Sequence, residues 1–181
     1  MQKLNARQLR NTVPSPATIQ TIPKNPIYII LDNVLDTYNV GSIFRLADAI
    51  AVRKVYLCGQ TLTPPNSRIK KASINTWQWV HWQYAEAATG VLSNLRKQIP
   101  NLQIIAVEQD KRSKPFYKAR YELPLALVVG NETHGISKEI LDMADSIVEL
   151  PMWGVNKSLN VMVSLGFVLY EIMKNTQTAH E

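Results

Sequence analysis

The chain has 181 residues, 46% of them hydrophobic and 19% charged, which is enough for one well-buried core and too little for two ordinary domains. Lysine and arginine outnumber aspartate and glutamate by 20 to 14, a modest bias toward polyanionic partners such as nucleic acid. A single cysteine, Cys58, excludes an intramolecular disulfide and a cysteine zinc cluster and suits a reducing cytoplasm, three scattered histidines point to no metal site, and no apolar run approaches a membrane span.

In chain order, residues 1–25 read as a basic arm. It has a short helix over 1–11 and a linker rich in prolines, and it precedes a domain over 26–174 and a polar tail over 175–181. Within the domain, short runs rich in β-branched residues read as strands at 26–32, 53–58, 101–107, 123–130 and 146–150. Helical periodicity occupies 40–51, 84–98, 137–144 and 158–174. The alternation predicts an α/β fold, a mainly parallel sheet flanked by helices. Only seven glycines are present, and none forms a dinucleotide fingerprint or a P-loop after the first strand.

Three loops carry residues suited to chemistry. In DNVLDTYNVGSIFR, Asn39 precedes the helix as a possible cap, and Arg45 is a permanent cation among residues that suit a buried helix. Either it snorkels to solvent, or it serves as a planar fork for phosphate or carboxylate. In LALVVGNETHGIS, Gly130 lets a ligand approach the backbone. Glu132 stands where open α/β sheets place their ligands, His134 reads as a turn residue, and Ser137 as a cap. In ELPMWGVNKSLNVMVSLGFVLYEI, Ser158 suits a helix cap. Asn160 is a polar residue that needs a specific partner, in a helix apolar nearly all round.

Taken together, N-V-G-S-I-F-R, V-V-G-N-E-T-H-G-I and L-P-M-x-G-x-x-x-S-L-N-V-x-V-S-x-G-x-x-L-Y-E resemble the three motifs of the SpoU (TrmH-like) RNA 2′-O-ribose methyltransferases of the SPOUT superfamily, over residues 26 to 173. The resemblance implies a deep trefoil knot near the carboxyl end, a homodimer, S-adenosylmethionine as methyl donor, and transfer to a ribose hydroxyl of tRNA or rRNA, without metal or membrane. It implies catalytic roles for Arg45, Asn39, Glu132, Ser158 and Asn160, and cofactor contacts at Gly130, Leu150, Met152, Ser158 and Leu159. Glu132 is expected to orient Arg45 or its surroundings. Trp153 occupies an unspecified position of the third motif, and the resemblance assigns it no role.

Outside the motifs, KRSKPFYKAR (111–120) interleaves five basic residues with Phe116 and Tyr117, a composition suited to phosphates and an unpaired base. Arg68, Lys70 and Lys71, with Lys3, Arg7 and Arg10, are further basic candidates. A noncatalytic RNA-binding or RNA-assembly protein on the same fold is the alternative reading. Such a protein would have no need of Arg45, Glu132 and Asn160, and all three are present.

Overall fold

The computed structural model describes residues 5–177. Lys3 and residues 178–181 of the tail lie outside that range, and the side chains of Arg7 and Arg10 lie outside what is described. Two short helices, α1 (Ala6–Asn11) and α2 (Pro16–Gln20), come first. Proline at the opening of α2 gives up no hydrogen bond there, so the proline-rich stretch is partly helical rather than only a linker. Leu9 and Ile19 pack on the main core, and the Asn75 amide donates to the Leu9 carbonyl at 3.0 Å.

Seven strands form one sheet: β1 (Asn25–Asp32), β2 (Val52–Cys58), β3 (Trp82–Ala85), β4 (Gln103–Val107), β5 (Lys114–Pro115), β6 (Leu125–Gly130) and β7 (Ser146–Glu149). Their spatial order is β3-β2-β1-β6-β4-β7-β5, and every neighbouring pair is parallel. The helices are α3 (Thr37–Ala49), α4 (Ser67–Ser73), α5 (Ala88–Gln98), α6 (Lys138–Met143) and α7 (Val161–Gln177).

Strand alternation divides the core in two. Ile27, Ile29, Leu31, Leu127 and Val129 face α3 and α7, whereas Ile30, Ala106, Ala126 and Val128 face α5 and α6. Because β6 is covered on both faces, all six of its residues are buried, and its sequence is a continuous apolar run.

Four expectations need correction. Residues 84 and 85 end the edge strand β3, and the helix there starts only at Ala88. Helix α3 begins at Thr37, capped by the Asp36 carboxylate, which accepts from the Tyr38 N–H at 2.8 Å; Asn39 is therefore inside the helix. Helix α7 begins at Val161, so Ser158 is not its cap. That task falls to Asn160, whose Oδ1 accepts from the Met162 N–H at 2.9 Å. Ser137 does occupy the cap position of α6, but its side chain makes no capping bond.

Helix α4 was absent from the sequence reading. It lies so close to α3 that a Cβ on Gly41 would sit 2.6 Å from the Ala72 Cβ and 2.8 Å from the Ile69 carbonyl oxygen. Gly41→Ala improves helix propensity by about 1 kcal/mol, yet the overpacking it forces costs more. We expect a net loss of about 1–2 kcal/mol, read as a lower denaturant midpoint for the variant.

Candidate active site

The sheet reverses direction of growth at β1. From β1 the chain builds outward through β2 to β3, then crosses over to β4, and later inserts β6 between β1 and β4. Crevices at the carboxyl ends of strands around such a point are where open α/β sheets take ligands. A cleft of about 530 Å³ lies there, bounded by the ends of β4, β6 and β7 and by the chain leading into α7.

Seven of the residues singled out from sequence line it: Gly130, Glu132, Leu150, Met152, Ser158, Leu159 and Asn160. Asn39 does not line the cleft but is wired to it. The Glu132 carboxylate accepts from the N–H groups of Leu35 and Asp36, both at 3.1 Å, and from the Asn39 amide at 2.9 Å. The Asn39 carbonyl oxygen then accepts from the Asn160 amide at 2.9 Å. One chain of polar contacts thus joins the three motifs, with Asn39 buried at its centre. Burial of Glu132 would raise its pKa, but the Asn39 amide and the backbone N–H donors outweigh this and hold the carboxyl below its ordinary range.

Gly130 has a different reason from the one its sequence position suggested. The loop after it folds back, with Asn131 and Gly135 exchanging backbone hydrogen bonds of 3.1 and 2.9 Å. A Cβ on Gly130 would sit 2.5 Å from the Gly135 carbonyl carbon, so the glycine is required by this return. The Asn131 side chain accepts from the Thr133 and His134 N–H groups, which confirms His134 as a turn residue.

Arg45 stands apart. It is exposed on the outer face of α3, two turns beyond Tyr38, and makes no hydrogen bond or ion pair with any described residue. Glu132 makes no contact with it within the chain; the carboxylate instead holds the β1–α3 loop at the opening of the helix that carries Arg45, which are the surroundings of that residue.

Sequence reasoning missed Glu108 and Gln109. Glu108 follows β4, lines the cleft, and accepts from the N–H groups of Gln109 at 2.8 Å and Ile136 at 2.9 Å. It pins the loop after β6 to the end of β4, and a Cβ on Gly135 would sit 2.3 Å from its Oε2. The Gln109 amide donates to the Lys157 carbonyl and so ties down the loop before α7. The usable signal was a carboxylate directly after a buried strand, the same signal that marked Glu132.

Glu108, Glu132 and Glu149 line the cleft together with Leu150, Met152 and Leu159, and no lysine, arginine or histidine does. This suits a ligand with a cationic centre and an apolar body. Cys58 offers no reactive thiolate, since burial, with Asp32 nearby, pushes its thiol up to about 12. Among the described residues, no group of three or more His, Cys, Asp or Glu could hold a metal ion, and no helix is long and apolar enough to cross a membrane.

In the basic loop, Arg112 is paired with Asp110 at 2.8 Å and Asp142 at 2.7 Å, and Arg120 with Glu122 at 2.7 Å. Lys111, Lys114 and Lys118 remain as its unpaired cations among the described residues. Arg68, Lys70 and Lys71 are all exposed on α4.

The sequence profile of the SpoU rRNA Methylase family matches residues 26–170. The tRNA (guanosine(18)-2′-O)-methyltransferase of Aquifex aeolicus is 32% identical over 157 residues, 83% of this chain and 70% of that one. The crystal structure of the A. aeolicus TrmH/SpoU tRNA modifying enzyme superposes with a TM-score of 0.79 at 27% identity, covering 97% of this chain and 84% of that one. The AdoMet-bound rRNA methyltransferase from Sinorhizobium meliloti gives 0.76 at 25% identity, covering 92% of this chain but only 60% of its own.

The Glu132 arrangement has a measurable signature. A carboxyl held below its ordinary value of 4.5 contributes stability that is fully present above that value and is lost as pH falls through the folded-state value. Glu132→Gln is expected to be less stable than the wild type at neutral pH. The gap between their unfolding midpoints should close on acidification through the carboxylate range.

Proposed function

The chain belongs to the SpoU rRNA methylase family, and from that membership we propose that it transfers a methyl group from S-adenosylmethionine to a ribose 2′-hydroxyl of structured RNA, tRNA or rRNA, as a cytoplasmic homodimer. The observation that carries this reading is the hydrogen-bonded line Glu132–Asn39–Asn160, which draws all three motifs to one cleft at the switch point of the sheet.

The residues present fit the cofactor. Leu150, Met152 and Leu159 offer apolar surface, and the carboxylates suit a cation while no basic side chain opposes it. When bound, S-adenosylmethionine supplies an electrophilic methyl group on a positively charged sulfur. The rest of the task is to place the 2′-oxygen in line with that group and let its proton leave as it attacks.

Arg45 is assigned to the RNA side. Its guanidinium is too weak an acid to serve cheaply as a base at neutral pH. It therefore grips the phosphate next to the target ribose and eases departure of the hydroxyl proton, through that phosphate. Asn39, Ser158 and Asn160 hold the ribose, the phosphate and the loops, while Glu132 acts through Asn39 as a positioning residue.

The dimer follows from two features. Phe167 and Tyr170 are more than half exposed on α7, although Leu165, Val168, Leu169 and Ile172 on its other side are fully buried. Arg45, meanwhile, lies outside its own chain's cleft. A second subunit laid over α7 and α3 covers the aromatic face and lets each Arg45 serve the partner's cleft. The carboxyl-terminal part of the chain is read as a deep trefoil knot. Support comes from the insertion of β6 between β1 and β4 and from the Gln109–Lys157 contact, which closes the loops after β4 and β7 on each other.

Arg45→Ala should abolish methyl transfer while leaving S-adenosylmethionine affinity nearly unchanged; a large loss of cofactor binding, measured by calorimetry, would reject the assignment. Mixing Arg45→Ala with Asn160→Ala, each inactive alone, tests the shared site. Random exchange makes about half the dimers mixed, in which one site carries both lesions and the other neither, so roughly a quarter of the sites recover. Native mass spectrometry would confirm the exchange, and mixed dimers without recovered methyl incorporation would refute site sharing.

A further inference from the structure

One residue of the third motif loop has no role so far. Trp153 is 87% exposed, and Val155 close by is fully exposed. The loop that carries them is nevertheless anchored. Met152 and Asn156, on either side, line the cleft, the Gln109 amide holds the Lys157 carbonyl, and Asn160 is bonded to Asn39. Trp153 therefore stands on a fixed rim of the cleft, one residue from its lining. Gly154 beside it has nothing within 4 Å of where a Cβ would be, so the rim is open on that side. Lys157 is exposed on the same loop, and its ammonium has no partner among the described residues.

An indole is costly to leave in water, and a flat face on a held loop next to a free cation is what an unpaired nucleotide recognises: the ring stacks on the base and the ammonium meets the phosphate. We infer that Trp153 is the stacking platform for an unpaired base of the RNA substrate at the mouth of the cleft, with Lys157 on the adjoining phosphate. The inference rests on the methyltransferase reading for the identity of the substrate. RNA is favoured over a protein partner because the loop offers no continuous apolar patch. Beyond Trp153 and Val155 its exposed residues are Gly154, Asn156, Lys157, Ser158, Asn160 and the 43% exposed Leu159, which lines the cleft, so polar residues and a glycine separate the apolar ones. Stacking is also tolerant of base identity, so this platform positions a nucleotide rather than reading it.

The test uses the full chain with a short unpaired RNA oligonucleotide, a blunt RNA duplex and unfractionated transfer RNA as probes. Trp153→Ala should weaken binding of the unpaired oligonucleotide and of transfer RNA by roughly ten-fold or more, with S-adenosylmethionine affinity unchanged. Trp153→Phe should keep most of the binding. Because Trp77, Trp79 and Trp82 are buried or partly buried, the unpaired oligonucleotide should quench wild-type tryptophan fluorescence. The duplex should not, and the quenching should vanish in Trp153→Phe. Unchanged RNA binding by Trp153→Ala overturns the proposal. A shift of Trp153→Ala from dimer to monomer also overturns it and assigns the loop to a subunit contact, and a parallel loss of cofactor affinity assigns the indole to the cofactor enclosure. If Trp153→Ala does not fold, the comparison of wild type with Trp153→Phe decides alone, and equal quenching in the two rejects the platform. If the wild type binds no S-adenosylmethionine, the methyltransferase reading fails, and the quenching result still reports whether Trp153 meets an unpaired base.

Discussion

The carboxylate of Glu132 is the point on which the site depends. It stands two residues past the end of a strand buried on both faces and accepts from two backbone N–H groups and one amide of the chain that follows β1. Because those donors belong to the turn that opens α3, the carboxylate fixes where that helix starts. Because Asn39 has an oxygen left to accept from Asn160, the same carboxylate fixes, at one remove, where α7 starts. Two helix openings and the cleft between them are set by one side chain.

This arrangement separates holding from reacting. The residues that are wired together are neutral amides and a fully engaged carboxylate, which have little capacity left for proton transfer. Arg45, to which the proposed reaction gives the contact with RNA, has no partner among the described residues and is exposed on a helix whose opposite face is core.

The legible parts of the fold were those where burial leaves a one-dimensional trace. Strands β1, β4 and β6 were readable because two-sided burial selects continuous runs such as Tyr28–Leu31 and Leu125–Val129. β3 was not, because an edge strand reading Trp-Gln-Tyr-Ala is largely exposed and its residues also fit a helix. Helix α4 escaped because Ile69 is the sole large apolar residue among polar ones, and its place is set by closeness to Gly41, a long-range fact. At the site, the motif residues were recognisable one by one, but their wiring was not. Asn39 looked like a cap because asparagine at a helix opening usually is one. Asp36, three residues earlier, had the better geometry, which freed Asn39 to bridge Glu132 and Asn160.

The position of β6 also sets a timetable. Strand β1 is made among the first 32 residues, yet its inner neighbour does not exist until residue 130 has been synthesised, and its outer neighbour β2 is in place long before. Until then the growing polypeptide carries an open edge at β1, bordered by the most apolar part of the chain. Closing it requires pairing across nearly a hundred intervening residues, a slow step that leaves the nascent chain open to aggregation meanwhile. The strand laid into the middle of the sheet leads directly to Glu132, and the core and the cleft are then both completed by β7 and α7, which follow it in the chain. A chain able to bind its methyl donor is, by construction, a chain that has finished folding.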